Sequence, residues 1–247
     1  MAFISKKKGL YSYFSLQLEE FNWHGKDVLD FGGNIGNILR SPYSTIDQER
    51  YWCIDVDKEA LEMGQRSFPK SHWLFYNRYS FFFNPYGIPN QPLPDLEQTF
   101  DYIVVYSVFT NTPRSDMFEL VDALQGLLKH DGVLVFTFLD PHYCPWPRAF
   151  RPINLQWCMK RFRDPDRAVD SGALLNKAKG ANSCNLVNGN ELYIDHEDIK
   201  TYEPDQQRSS LEFYAAPYMK TLYPQATIRP PVNNERQHCC IIRPSSK

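Results

Sequence analysis

A short apolar run that ends in an acid and then a glycine cluster constrains this chain more than any other segment. It reads Val28-Leu29-Asp30-Phe31-Gly32-Gly33-Asn34-Ile35-Gly36. An extended segment closing on such a turn brings bare backbone to the carboxyl edge of an open α/β sheet, where such sheets bind their ligands. Two classes of nucleotide cofactor use this device, and spacing separates them. The dinucleotide pattern G-x-G-x-x-G, started at Gly32, needs glycine at 34 and 37, where the chain has Asn34 and Asn37. A nicotinamide dehydrogenase is therefore the weakest of the available readings.

The rest of the chain continues the alternation of strand and helix. Tyr51-Trp52-Cys53-Ile54 is an apolar run stopped by Asp55-Val56-Asp57, and Lys58 to Ser67 has helical composition. Asp57 is placed to cap that helix. His72 to Tyr76 predicts a third strand, followed by a long aromatic and proline-rich loop from Asn77 to Glu97. A loop of that length in a compact domain is commonly functional, so it is a candidate wall of a binding site. Phe100 to Tyr106 reads as a buried strand, Ser115 to His130 as an amphipathic helix, and Val133 to Leu139 as a fifth strand stopped by Asp140-Pro141. Residues 141–204 lose this pattern, apart from one helical piece near Asn154 to Phe162, and are expected to form an inserted cap without a strand framework of its own. Ser209 to Tyr223 is expected to be helical. Ala226 to Arg229 and Gln237 to Ile242 predict a closing antiparallel pair. One domain over residues 1–247 is expected: an α/β, Rossmann-like, mostly parallel sheet of seven strands with an antiparallel last strand and helices on both faces. Residues 1–25 supply a lead helix, with Tyr11, Tyr13 and Phe14 either packing on the sheet or closing over the site.

The segment Val28 to Gly36 resembles motif I of the class I methyltransferases, an acid followed by G-x-G-x-G, with Asn34 at the middle glycine. Asparagine tolerates positive φ better than most residues, so the turn survives the change. The block from Phe100-Asp101-Tyr102-Ile103-Val104 through Ser107-Val108-Phe109-Thr110-Asn111 to Leu127-Leu128-Lys129-His130-Asp131-Gly132 is similar to the same family's fourth strand, helix and turn into strand five. Family members often carry histidine where Asn111 stands and proline-glycine where Asp131-Gly132 stands. The resemblance implies S-adenosyl-L-methionine as cofactor. It carries Asp30, Gly32, Gly33, Asn34 and Gly36 over as contacts to the methionine and ribose parts. Asp55, with Val56 beside it, ends the second strand, where a carboxylate accepts both ribose hydroxyls. By the same resemblance, Asn77, Arg78 and Tyr79 in the loop after strand three are candidates for holding the adenine, and Ser107 and Phe109 for lining the sulfonium and its methyl. Phe109 reads equally well as core.

Methyl transfer is an in-line displacement on an activated donor, so positioning in a dry pocket supplies much of the catalysis and a base is optional. Where the acceptor is a hydroxyl or ammonium group, His142 is the first candidate base, followed by Asp195 and His196. The aromatics Tyr79, Phe81, Phe82, Phe83, Tyr86, Tyr143 and Trp146 are available to pack a cap or to line a pocket for a flat, apolar or cationic acceptor. With 27 basic and 29 acidic residues, the net charge of −2 provides no positive field for nucleic acid. Six cysteines show neither a CxxC pair nor zinc spacing, and no apolar run approaches the roughly 20 residues of a membrane span. No metal is expected. The start, Met-Ala-Phe-Ile-Ser-Lys-Lys-Lys, does not read as a secretory signal. Together these features predict a cytoplasmic enzyme acting on a small or medium-sized acceptor, a specialised metabolite by class. A protein or peptide methyltransferase, or a non-catalytic binding protein on the same fold, remain the alternatives.

Overall fold

The computed structural model describes residues 9–80, 83–140, 142–143, 183–187, 191–195, 210–233 and 235–244. Five strands form the parallel part of the sheet: β1 (Val28–Phe31), β2 (Tyr51–Asp55), β3 (His72–Phe75), β4 (Phe100–Val105) and β5 (Leu128–Leu139). They lie in the order β3-β2-β1-β4-β5. The sequence puts the first strand in the middle, so the chain reverses its direction of winding between β3 and β4. That switch leaves a crevice at the carboxyl ends of β1 and β4.

Strands β9 (Thr227–Arg229) and β10 (Gln237–Ile242) pair antiparallel, and β10 also runs antiparallel along β5, with Gln237 opposite Leu139 and Ile242 opposite Leu134. These seven strands are the expected sheet. Three more extend it: β6 (Ser183–Val187), β7 (Glu191–Asp195) and β8 (Ser210–Tyr214). β6 pairs antiparallel with both β7 and β8, and β8 joins β5 at the Leu139–Phe213 position. The segment read as a cap without strands therefore contains a hairpin that belongs to the sheet. The helical piece near Asn154 to Phe162 lies outside the described residues.

The apolar runs of the central strands are continuous because both faces of the sheet are covered. Leu29, Phe31, Ile103, Val105, Leu134, Phe136 and Phe138 point to one side, where α3 (Arg114–Gln125) contributes Met117, Leu120, Val121 and Leu124. Met219 of α4 (Ala216–Leu222) packs on the same side. Val28, Tyr102, Val104, Val133 and Val135 point to the other, against Tyr11, Tyr13, Phe14 and Leu18 of α1 (Leu10–Leu18) and Leu61 of α2 (Lys58–Ser67). Each large side chain so buried contributes roughly 1.5 to 3 kcal/mol. Tyr11, Tyr13 and Phe14 thus pack on the sheet. Asp57 caps α2, its carboxylate accepting from the Ala60 N–H at 3.0 Å.

Three boundaries differ from expectation. The helix read as running to His130 ends at Gln125, because the Leu127 carbonyl accepts from the Phe100 N–H and Leu128 pairs with Phe100 at the start of β5. The stretch Ser209 to Tyr223 is split into β8 and α4: Glu212 donates its N–H to the Thr110 carbonyl, and Asp140 caps α4 by accepting from the Ala216 N–H at 2.9 Å. After Gly36 the chain makes successive turns in place of the expected helix start. No helix among the described residues is long and apolar enough to cross a membrane.

Candidate active site

The turn after β1 is built on three positive φ angles: 75° at Gly32, 55° at Asn34 and 79° at Gly36. Asn34 therefore adopts the left-handed conformation that its place in the motif demands. Gly32 continues the ladder, its N–H donating to the Ile54 carbonyl at 2.7 Å. A side chain there would meet Val108 of the loop after β4, since an added Cβ would lie 2.2 Å from Val108 Cγ2. At Gly33 an added Cβ would press on the Asp30 carboxyl at 2.6 Å. The turn is thus enclosed by Val108 on one side and Asp30 on the other.

Asp55, at the carboxyl end of β2, clamps this turn. Its Oδ2 accepts from the Asn34 N–H at 2.7 Å and its Oδ1 from the Asp57 N–H at 2.8 Å. Each oxygen keeps a second lone pair. Asp30 sits beneath the turn, 2% exposed, accepting from the Tyr51 hydroxyl at 2.7 Å. Burial pushes its pKa up to about 7, the Asp55 charge adding to the effect and the Tyr51 hydrogen bond opposing it. Burial also raises Asp55, while the N–H groups of Asp57 and Asn34 pull it back. Two desolvated acids side by side make this a place where a cation or a pair of hydroxyl donors is stabilised.

At the end of β4, Ser107 has φ 59°. Its N–H donates to Thr137 Oγ1 at 2.8 Å, the Thr137 hydroxyl donates to Gln237 Oε1 at 2.5 Å, and Gln237 Nε2 donates to Ser107 Oγ at 3.0 Å. Along the loop after β3, Arg78 is buried and bridges Asp116 and Glu119 of α3 at 2.8 and 2.9 Å. It also donates to the Gln91 carbonyl at 2.8 Å, tying both ends of that loop to the helix.

Residues 29–134 match the family model described as a methyltransferase domain. The matched segment runs from β1 into β5, and over it the chain is similar to a methyltransferase domain. Among solved structures, it is similar to an S-adenosylmethionine-dependent methyltransferase from Clostridium acetobutylicum ATCC 824, at 13% identity and TM-score 0.55 over 96% of this chain and 91% of that one. It is also similar to the CcbJ methyltransferase from Streptomyces caelestis, at 10% identity and TM-score 0.53 over 100% and 94% of the two chains. At these identities the likeness is one of fold. No curated protein matches the sequence.

In this chain, Gly32, Gly33, Asn34, Gly36, Asp55 and Ser107 gather at one edge of the sheet, with Val56 half-buried just beyond Asp55. Asn77 is exposed beside them, its Oδ1 accepting from Asn84 Nδ2 at 3.1 Å, and Tyr79 is half-buried. Arg78 is turned inward, so it anchors the loop and leaves any ligand contact to its neighbours. Of the two readings of Phe109, its surroundings match the core one: it is fully buried and meets Phe136 edge-on, with ring centroids 5.2 Å apart. His142 is exposed and bound through its backbone N–H to Asp140 Oδ1 at 2.8 Å. Asp195 ends β7, and His196 lies outside the described residues, as do Phe81, Phe82 and Trp146.

Thr137, Gln237 and His238 were not legible as site residues. Thr137 is the one polar position in the apolar run Val133 to Leu139, a signal that was available. Gln237 and His238 open a strand that runs backwards beside β5, and only that pairing brings them to the carboxyl edge. His238 is buried against Phe138 and Tyr143, with no partner for its Nδ1 among the described residues, and burial lowers its pKa while Asp140 acts in the opposite direction.

Proposed function

We propose that the carboxyl edge binds S-adenosylmethionine across the Gly32 to Gly36 turn and directs its methyl group to a small or medium-sized acceptor, a specialised metabolite by class. The observation that carries this reading is the Asp55 clamp. An acceptor-only carboxylate at the end of β2, fixed on the Asn34 N–H and with lone pairs to spare, suits the two ribose hydroxyls. Gly32, Gly33, Asn34 and Gly36 offer backbone to the methionine and ribose parts, Val56 an apolar floor, and Asn77 and Tyr79 a side wall for the adenine. Asp30 supports the turn from below.

When bound, this cofactor supplies a methyl group on a positively charged sulfur. The chain's own contribution is to hold that charge in the field of Asp55, to seat the donor between the turn and the Ser107 loop, and to exclude water. For an acceptor that must lose a proton, His142 is the candidate base on the described part of the edge, with Asp195 and His196 as second choices. Residues 1–247 act in this reading as a single domain, with 141–204 as the substrate-facing cap. The acceptor's size is supported by the net charge of −2, which gives no attraction to polyanions, and by Tyr79 and Tyr143 beside the edge.

The test is release of S-adenosylhomocysteine on incubation with S-adenosylmethionine and separate pools of small metabolites and of peptides. Release with a metabolite pool alone is expected. Release only with peptides would move the acceptor to proteins, and binding without release from either pool would favour a non-catalytic role.

A further inference from the structure

Ser107 carries a Cβ yet sits at φ 59°, a conformation that persists only where the surroundings impose it. The imposing groups come from two other strands. Thr137 of β5 accepts the Ser107 N–H and donates its own hydroxyl hydrogen to Gln237 Oε1, and Gln237 of β10 returns an amide N–H to Ser107 Oγ, closing a ring of three directed hydrogen bonds. The Thr110 hydroxyl donates to the Ser107 carbonyl at 2.9 Å, so the Ser107 hydroxyl is left to donate to Thr110 Oγ1 at 3.2 Å. Every polar group of Ser107 is thereby engaged. Gln237 is itself held from the far side, its carbonyl accepting from the Tyr13 hydroxyl of α1 at 2.8 Å.

The consequence lies one residue on. Val108 follows Ser107 and presses on the bare backbone of Gly32, where an added Cβ would come within 2.2 Å of its Cγ2. The direction in which Val108 leaves β4 depends on the Ser107 backbone, and that backbone depends on the ring. We propose that Gln237 is a positioning residue for the methyl donor, holding Ser107 and Val108 against the Gly32 turn from a strand that the nucleotide-binding motif does not include. This rests on the reading that S-adenosylmethionine occupies that turn.

Equilibrium dialysis with S-adenosylhomocysteine tests it, using the wild type, Gln237→Met, Ser107→Ala and the double variant, with the melting temperature of each unliganded protein measured alongside. Gln237→Met keeps the length of the side chain and removes both hydrogen bonds. The expected result is about a tenfold weaker affinity, the scale of a hydrogen bond or two, with an unliganded melting temperature close to that of the wild type. The double variant is expected to bind no more weakly than the weaker single one, because the two side chains act through one bond. Binding by Gln237→Met within about twofold of the wild type, or losses that simply add, would overturn the proposal. No binding by the wild type would overturn the reading beneath it and the proposal together. Should Gln237→Met fail to fold, Gln237→Asn, whose shorter side chain falls away from Ser107, takes its place with the same expectations.

Discussion

Asp30 and Asp55 lie at the carboxyl ends of neighbouring parallel strands, yet one is sealed under the turn and the other clamps it from the edge. Burial raises Asp30 from 3.8 to about 7. Between those two values the unfolded chain has released a proton that the folded protein keeps, so stability falls as pH rises through this window and levels off above it. A carboxamide at this position has no proton to release. Asp30→Asn should therefore abolish a fall on the order of a few kcal/mol between about pH 4 and 7, read from urea midpoints across that range. Parallel profiles for the two proteins would contradict the assignment. At this scale much of the site was legible: the glycines and Asn34 announce a turn through their backbone preferences, and the acid at position 55 announces itself by ending an apolar run. Phe109 was ambiguous because an aromatic residue just past a strand reads the same whether it faces the core or a ligand. Only its contact with Phe136 separates the two.

The long loop after β3 is tied within itself by backbone bonds such as Ile88 N–H to the Asn77 carbonyl, and to α3 by a buried cation. Arg78 is 4% exposed and meets two carboxylates of α3, of which Asp116 is well covered and Glu119 half-exposed. Removing the guanidinium strands Asp116 among buried neighbours, which costs roughly 3 to 5 kcal/mol for a fully buried pair and less here because Glu119 is open to water. Arg78→Met is expected to lower stability by about 2 to 3 kcal/mol and to speed proteolytic cleavage between residues 77 and 97. An unchanged melting temperature with unchanged cleavage would show that the loop is held otherwise. Element types were mostly readable from apolar runs, but the boundaries that differ were not, as two of them show. Leu127-Leu128-Lys129 continues a helical pattern, and only the partners waiting on β4 pull it into β5. Ser210–Tyr214 alternates polar and apolar residues, but over only five positions that run on into a helical stretch, and it is extended because β6 lies beside it.

Over the whole molecule, the order β3-β2-β1-β4-β5 followed by antiparallel β10 and β9 places every acid and glycine of the turn, the Ser107 loop and the start of β10 on one edge. That convergence was legible for the parallel half, whose strands are short buried runs ending in acids or turns. It was not legible for β6, β7 and β8, which pair antiparallel with one another and meet the rest of the sheet at the Leu139–Phe213 position, nor for Gln237, whose place depends on a chain reversal that brings residue 237 back to residue 139. The central claim is that this edge is a site for S-adenosylmethionine with Asp55 at its ribose end. Isothermal titration of S-adenosylmethionine into the wild type and Asp55→Ala tests it most directly. Micromolar binding by the wild type, weakened by about tenfold or more in Asp55→Ala, is the predicted result. Equal affinity in both proteins, or no binding to either, would contradict it.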